Sequence, residues 1–214
     1  FHPRRRASDG PVLRAELELD ARAPLLVFAG ADGRRKGLGE MLAALSGLRE
    51  GSWTLLVAGV KHPGRWARVA RDHGLAPERV RFVSTQDAPR LWAAADLCVL
   101  PTWRDACGLV VLVALASGVP VVTSARAGAA EGLSGTDAGT VIERPDDVEA
   151  LRGSLAAWLE RLPAWDEACL AAARSCVAGR DLGAWLACLE GLVLGLARAP
   201  GSPRDEPGGG AGGR

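Results

Sequence analysis

Three cations stand in a row at Arg34, Arg35 and Lys36, between glycines at positions 30, 33 and 37. Glycine lets the backbone come close to a ligand, and Arg and Lys bind phosphate oxygens directly. At the start of a helix, whose free N–H groups favour an anion, such a turn can grip a phosphate. The spacing is neither Gly-x-x-x-x-Gly-Lys-Ser/Thr nor Gly-x-Gly-x-x-Gly, so this is neither a Walker loop nor a dinucleotide fingerprint. Read alone, the same residues make a solvated charge run in a tight turn. A second cationic turn holds Lys61, His62, Pro63, Gly64 and Arg65. It is compatible with a diphosphate site and, read alone, with an ordinary surface loop.

The richest segment covers residues 101–122, Pro-Thr-Trp-Arg-Asp-Ala-Cys-Gly followed by Leu-Val-Val-Leu-Val-Ala-Leu-Ala-Ser-Gly-Val-Pro-Val-Val. It reads as a strand end, a loop carrying an acid, a glycine opening a helix, and a Gly-x-Pro turn into the next strand. Asp105 can accept hydrogen bonds from sugar hydroxyls, or it can cap the helix that follows. The backbone N–H groups of Cys107, Gly108, Leu109 and Val110 point out of that helix's N-terminus. They form a second anion cradle, expected to face the first.

These turns need a scaffold, and the hydrophobic pattern supplies one. Short apolar runs at Leu25–Ala29, 53–59, Val80–Val83, Leu97–Leu100, 119–123 and 140–142 read as buried strands. Segments of helical period separate them, the first marked by Leu38, Met41, Leu42, Leu45 and Leu48. Pro63 opens a helix that Gly74 closes, Asp87 caps another running through Ala95, and Asp146 or Asp147 caps one running through Glu160. Two more apolar helical segments follow near 165–177 and 182–197. Strand–helix alternation of this kind is an α/β fold, a Rossmann-like parallel sheet with helices on both faces. In such sheets ligands bind outside the carboxyl ends of the strands, where the turns above lie. The expected divisions are a linker remnant over 1–22, the sheet domain over 23–162, C-terminal helices over 163–198 and a disordered, Gly- and Pro-rich tail over 199–214.

Composition narrows the function classes. Of 214 residues, 48% are hydrophobic and 24% charged, enough for a packed core. Lys plus Arg number 26 and Asp plus Glu 25, a net charge of +1, which removes the electrostatic case for a nucleic-acid partner. No apolar run approaches the roughly 20 residues that span a bilayer, and no secretory signal opens the chain. Five cysteines form no Cys-x-x-Cys pair and three histidines give little support for a metal, so reduced thiols in a cytoplasmic protein without a bound metal are expected.

Several motifs in order resemble a known family. Arg34-Arg35-Lys36-Gly37, Trp92-Ala93-Ala94-Ala95-Asp96, the 101–122 segment, Gly128-Ala129-Ala130-Glu131 and Gly139-Thr140-Val141-Ile142 resemble the donor-binding domain of family 4 glycosyltransferases, which have the GT-B fold. Within that family the chain is most similar to the lipopolysaccharide-core glucosyltransferase branch, over about residues 23–160. The resemblance implies sugar transfer from a UDP- or GDP-linked donor, with retention at the anomeric carbon, to a glycan or lipid-linked acceptor. It implies that Arg35 and Lys36 hold the donor diphosphate, helped by Arg65 and the Gly30 turn. Asp105 matches the first acid of the family's Glu-x7-Glu motif and would contact the donor sugar, and Cys107 to Val110 would meet sugar and phosphate through their backbone. Asp105, Arg35 and Lys36 would be the catalytic group, with no metal cofactor. The branch also implies peripheral contact with the inner face of a membrane, for which the net charge offers no support.

Two departures temper this. Val113 stands where the motif's second acid, which holds the ribose, should be. The chain also lacks the N-terminal acceptor domain of a GT-B enzyme. A fragment or incomplete product, inactive alone, is therefore expected, with Phe1 as its first residue. Val113 also motivates a second reading, a noncatalytic domain that keeps the fold as a binding or structural module. A nicotinamide-dependent dehydrogenase fits poorly without the glycine fingerprint. The apolar final helix, with Trp185, Leu186, Leu189, Leu192, Val193 and Leu196, predicts an exposed patch prone to self-association.

Overall fold

A computed structural model describes residues 1–48, 51–84, 87–179, 183–184 and 186–191. The chain forms two units, residues 1–177 and 178–214. In the second, residues 186–191 are helical. The expected tail over 199–214, and Trp185, Leu192, Val193 and Leu196 of the expected apolar patch, lie outside the described residues.

The first unit is built on six parallel strands: β1 Leu25–Ala29, β2 Thr54–Ala58, β3 Val80–Val83, β4 Leu97–Leu100, β5 Val121–Ser124 and β6 Gly139–Ile142. Their order is β3-β2-β1-β4-β5-β6, the doubly wound arrangement whose direction of growth reverses between β1 and β4. Every position of β1, β2, β4 and β5 is buried; β1 and β4 are apolar throughout, and the buried hydroxyls of Thr123 and Ser124 in β5 donate to the carbonyls of Leu100 and Thr102. Burying one Leu or Phe contributes about 1.5–3 kcal/mol, and Leu25, Leu26, Phe28, Leu55, Leu56, Leu97 and Leu100 are all enclosed.

The helices connecting the strands are α2 Leu38–Ser46, α3 Pro63–Asp72, α4 Ala88–Ala94 and α5 Leu109–Ala116, and α6 Val148–Arg161 and α7 Glu167–Ser175 follow the last strand. The buried face of α2 is Leu38, Met41, Leu42, Ala44 and Leu45, and it packs on α6. The Asp87, Asp147 and Asp166 side chains cap α4, α6 and α7 by accepting from the N–H groups of Arg90, Ala150 and Cys169. The fifth strand begins at Val121 and not at 119, after Pro120, whose carbonyl accepts from Cys98 N.

The linker expected over 1–22 is instead largely a helix, α1 Arg5–Glu16, packed on α4. Tertiary contacts hold it. Arg6 and Arg14 both bind the carboxylate of Asp96, which also accepts from Leu25 N at 2.7 Å. Arg14 adds a bond of 2.9 Å to the carbonyl of Ala94. Gly10 faces α4, where a Cβ would fall 2.7 Å from the Ala93 carbonyl oxygen.

Candidate functional site

The turn after β1 and the turn after β4 meet at the carboxyl edge of the sheet, at the point where strand order reverses. The Arg35 carbonyl accepts from Trp103 N at 2.9 Å and from Thr102 Oγ1 at 3.1 Å. In return Arg35 Nη1 donates to the Arg104 carbonyl at 2.8 Å. Gly37 makes this approach feasible: its φ is 79°, and a Cβ there would fall 2.0 Å from the Pro101 carbonyl oxygen. Gly37 is also the residue before α2, so the cationic turn does open a helix.

Lys36 is buried beneath this junction, its stem passing Gly30, where a Cβ would sit 3.2 Å from Lys36 Cγ. Its ammonium binds the carboxylate of Asp105. Burial opposes ionisation of Asp105. The Lys36 ammonium, the Gly108 N–H and the charge of Arg35 together outweigh it and hold the carboxyl below its usual range. Asp32 anchors Arg35 by accepting from its backbone N–H at 3.0 Å, and this bond, with the nearby guanidinium, lowers the Asp32 pKa as well.

The second cradle is arranged differently from the simplest expectation. Gly108, at φ 74°, is the residue before α5, and no side chain caps that helix. The Gly108 N–H nonetheless helps to favour the ionised form of Asp105. Cys107 and Leu109 are exposed, while Val110 is half-buried. Val113 lies half-buried in the second turn of α5. The Asp105 backbone is tied to the next turn, with its N–H donating to Arg126 O at 3.1 Å and its carbonyl accepting from Gly128 N at 2.8 Å. This bond pattern brings Arg126 to the site. Sequence reading did not single Arg126 out, because only the folding of the β5 turn against the β4 turn makes it a neighbour of Asp105.

The turn after β2 lies alongside, since Lys61 N donates to Ala31 O at 2.9 Å. His62 takes a left-handed conformation before α3, and Trp66 of α3 packs beneath Gly33. Arg65 is exposed, with its guanidinium 5.9 Å from the Trp66 ring, and among the described residues it bonds to none of Arg35, Lys36 and Asp105. The structure thus joins Gly30, Arg35, Lys36, Asp105 and Gly108 directly and leaves Arg65 on the rim. Among the described residues no three His, Cys, Asp or Glu side chains gather to hold a metal ion, and no helix is long and apolar enough to cross a membrane.

The family model for "Glycosyl transferases group 1" matches residues 23–161. The chain belongs to this family. Among its relatives is the lipopolysaccharide glucosyltransferase WaaG of Escherichia coli K12, 34% identical over 149 residues, which are 67% of this chain and 40% of WaaG. The crystal structure of WaaG, a glycosyltransferase involved in lipopolysaccharide biosynthesis, superposes with a TM-score of 0.74 at 29% identity, covering 88% of this chain and 51% of that one. The C-terminal domain of a group 1 glycosyl transferase, LpcC of Francisella tularensis, shares the fold with a TM-score of 0.66 at 18% identity, covering 83% of this chain and 94% of that one. This group 1 chain therefore spans about half of its WaaG relative and carries one half of the GT-B fold.

Proposed function

We propose that this chain is the donor-binding half of a retaining family 4 glycosyltransferase, acting on a nucleotide-activated hexose in the cytoplasm and serving a glycan or lipid-linked acceptor. The observation that carries the reading is the contact of Lys36 with Asp105, which joins the cationic turn to the acidic one at the point where strand order reverses. A nucleoside diphosphate set over Arg35 and Lys36 would meet the N-terminal ends of α2 and α5. Its sugar would lie against Asp105. As the glycosidic bond to the donor phosphate breaks, charge grows on the departing diphosphate. The fixed cations and helix ends stabilise that charge without a metal ion. Sugar hydroxyls would share the Asp105 carboxylate with Lys36. Arg65, on the rim, adds a longer-range attraction.

The test is calorimetric titration with UDP- and GDP-sugars at millimolar concentration. Weak but saturable binding is expected, and no binding of either nucleotide overturns the reading. These 214 residues alone, which span about half of their WaaG relative, are expected to give no turnover; detectable sugar transfer by them refutes that part.

One observation favours a second reading. Val113 presents an apolar, half-buried side chain on α5 where a ribose-binding acid would stand. A domain that has lost its nucleotide and acts as a binding or structural module fits that residue equally well.

A further inference from the structure

Asp105 also lines a cavity of about 470 Å3 formed by the turns after β4 and β5 and by Val141 of β6. The volume falls within the range of small-molecule sites, about 300–1,000 Å3. Two arginines, Arg104 and Arg126, line it, and both are exposed. Neither guanidinium has a hydrogen-bond or ion-pair partner among the described residues. Their backbones, by contrast, are fixed. Arg104 O accepts from Arg35 Nη1 at 2.8 Å, and Arg126 O accepts from Asp105 N at 3.1 Å. Two free cationic heads therefore rise from roots held by the site itself.

The charges around the cavity do not cancel. Asp105 is already matched by Lys36, and Glu131, which also lines the cavity, offsets one of the two arginines. A net positive charge remains beside the carboxylate assigned to the sugar. A neutral hexose would leave that charge facing only water, whereas an anionic group would form charge-assisted bonds with both heads.

We propose that this cavity receives a sugar unit carrying a carboxylate or phosphate, held by Arg104 and Arg126 while Asp105 accepts from its hydroxyls. The inference rests on the donor-site reading for the presence of a sugar and adds the sugar's charge. The same chemistry can arrive in two ways, as the uronate of a nucleotide-linked donor or as an acidic sugar of the acceptor.

Two sets of calorimetric titrations on the full chain test it. The first compares UDP-glucuronate with UDP-glucose and GDP-mannuronate with GDP-mannose. The second compares glucuronate and glucose 6-phosphate with glucose, without nucleotide. The anionic member of at least one set is expected to bind about tenfold tighter than its neutral counterpart. Arg104→Gln combined with Arg126→Gln is expected to abolish that preference. Glu131→Gln, which removes the opposing carboxylate, is expected to strengthen it. A preference in the first set alone assigns the charge to the donor, and one in the second set alone assigns it to the acceptor. If no nucleotide binds but charged sugars are still preferred, the donor reading fails and the cavity assignment stands. Equal or absent binding of charged and neutral members in both sets overturns the inference. So does a preference that survives the double substitution, or a Glu131→Gln variant that shows no strengthening.

Discussion

Lys36 and Asp105 lie 69 residues apart in the chain and meet as an ion pair between the turns after β1 and β4. Their side chains retain only 9% and 15% of their exposure. The pair therefore clamps the two halves of the sheet together at the same place where it presents its charges. A ligand arriving here does not find a bare cation and a bare acid; it must share both.

Because both partners are nearly buried, removing one leaves a costly unmatched charge. Lys36→Met is expected to destabilise the domain by about 3–5 kcal/mol. Asp105→Asn should cost less, since its amide oxygen can still accept from the ammonium. The double variant should lose less than the sum of the two singles. Urea unfolding of the four proteins, arranged as a double-mutant cycle, measures the coupling.

The depressed pKa of Asp105 makes the pair sensitive to acid. Its folded pKa lies below the ordinary value of 3.8, so its stabilisation is fully present above that value. It is lost as pH falls through the folded pKa. The stability difference between the native protein and Asp105→Asn should hold constant from about pH 5 to 8 and shrink below about pH 4. Denaturant unfolding across that range reads it directly, and a difference that persists undiminished at pH 2 would contradict the assignment.

Val113→Glu separates a weakened donor site from a module that no longer uses the cleft. Helical side chains lean toward the N-terminus, so a carboxylate in the second turn of α5 could reach a ribose. One charge-assisted hydrogen bond contributes about 1.5–3 kcal/mol, a gain of very roughly ten- to a hundredfold in nucleotide affinity. Calorimetry with UDP and GDP measures it. An unchanged affinity favours the module.

Gly37→Ala should be among the most damaging single-methyl additions in the domain. The left-handed backbone disfavours any side chain, and the new methyl would meet the Pro101 carbonyl oxygen at 2.0 Å. The expected loss exceeds 1 kcal/mol in urea unfolding, accompanied by weaker nucleotide binding as the two turns separate. Gly64→Ala is the matched control, because nothing lies within 4 Å of the added methyl. It sits inside α3 and should be neutral or stabilising by up to about 1 kcal/mol.

The core strands were legible because burial on both faces leaves continuous apolar runs, as in Leu25–Ala29 and Leu97–Leu100. The caps at Asp87 and at Asp146 or Asp147, of which the fold uses Asp147, were legible for a local reason, a side chain that serves its own helix. Family motifs pointed to Arg35, Lys36 and Asp105 without disclosing that Lys36 is buried against Asp105. That follows only from folding. Arg126 escaped notice because its place depends on a backbone bridge between the β4 and β5 turns. The helix α1, within residues read as a linker remnant, carries Gly10 and Pro11, two poor helix formers. Its stability comes from Asp96, 90 residues beyond Arg6.

That helix changes where the domain can be divided. The recognisable family pattern starts at residue 23, yet the carboxylate at the foot of β4 is neutralised by two guanidiniums that precede it. A graft or recombination that took only the recognisable portion would strip a paired anion of its counterions and uncover the surface of α4. The transplantable piece is larger than its signature: its lid is encoded upstream of the pattern by which the family is known.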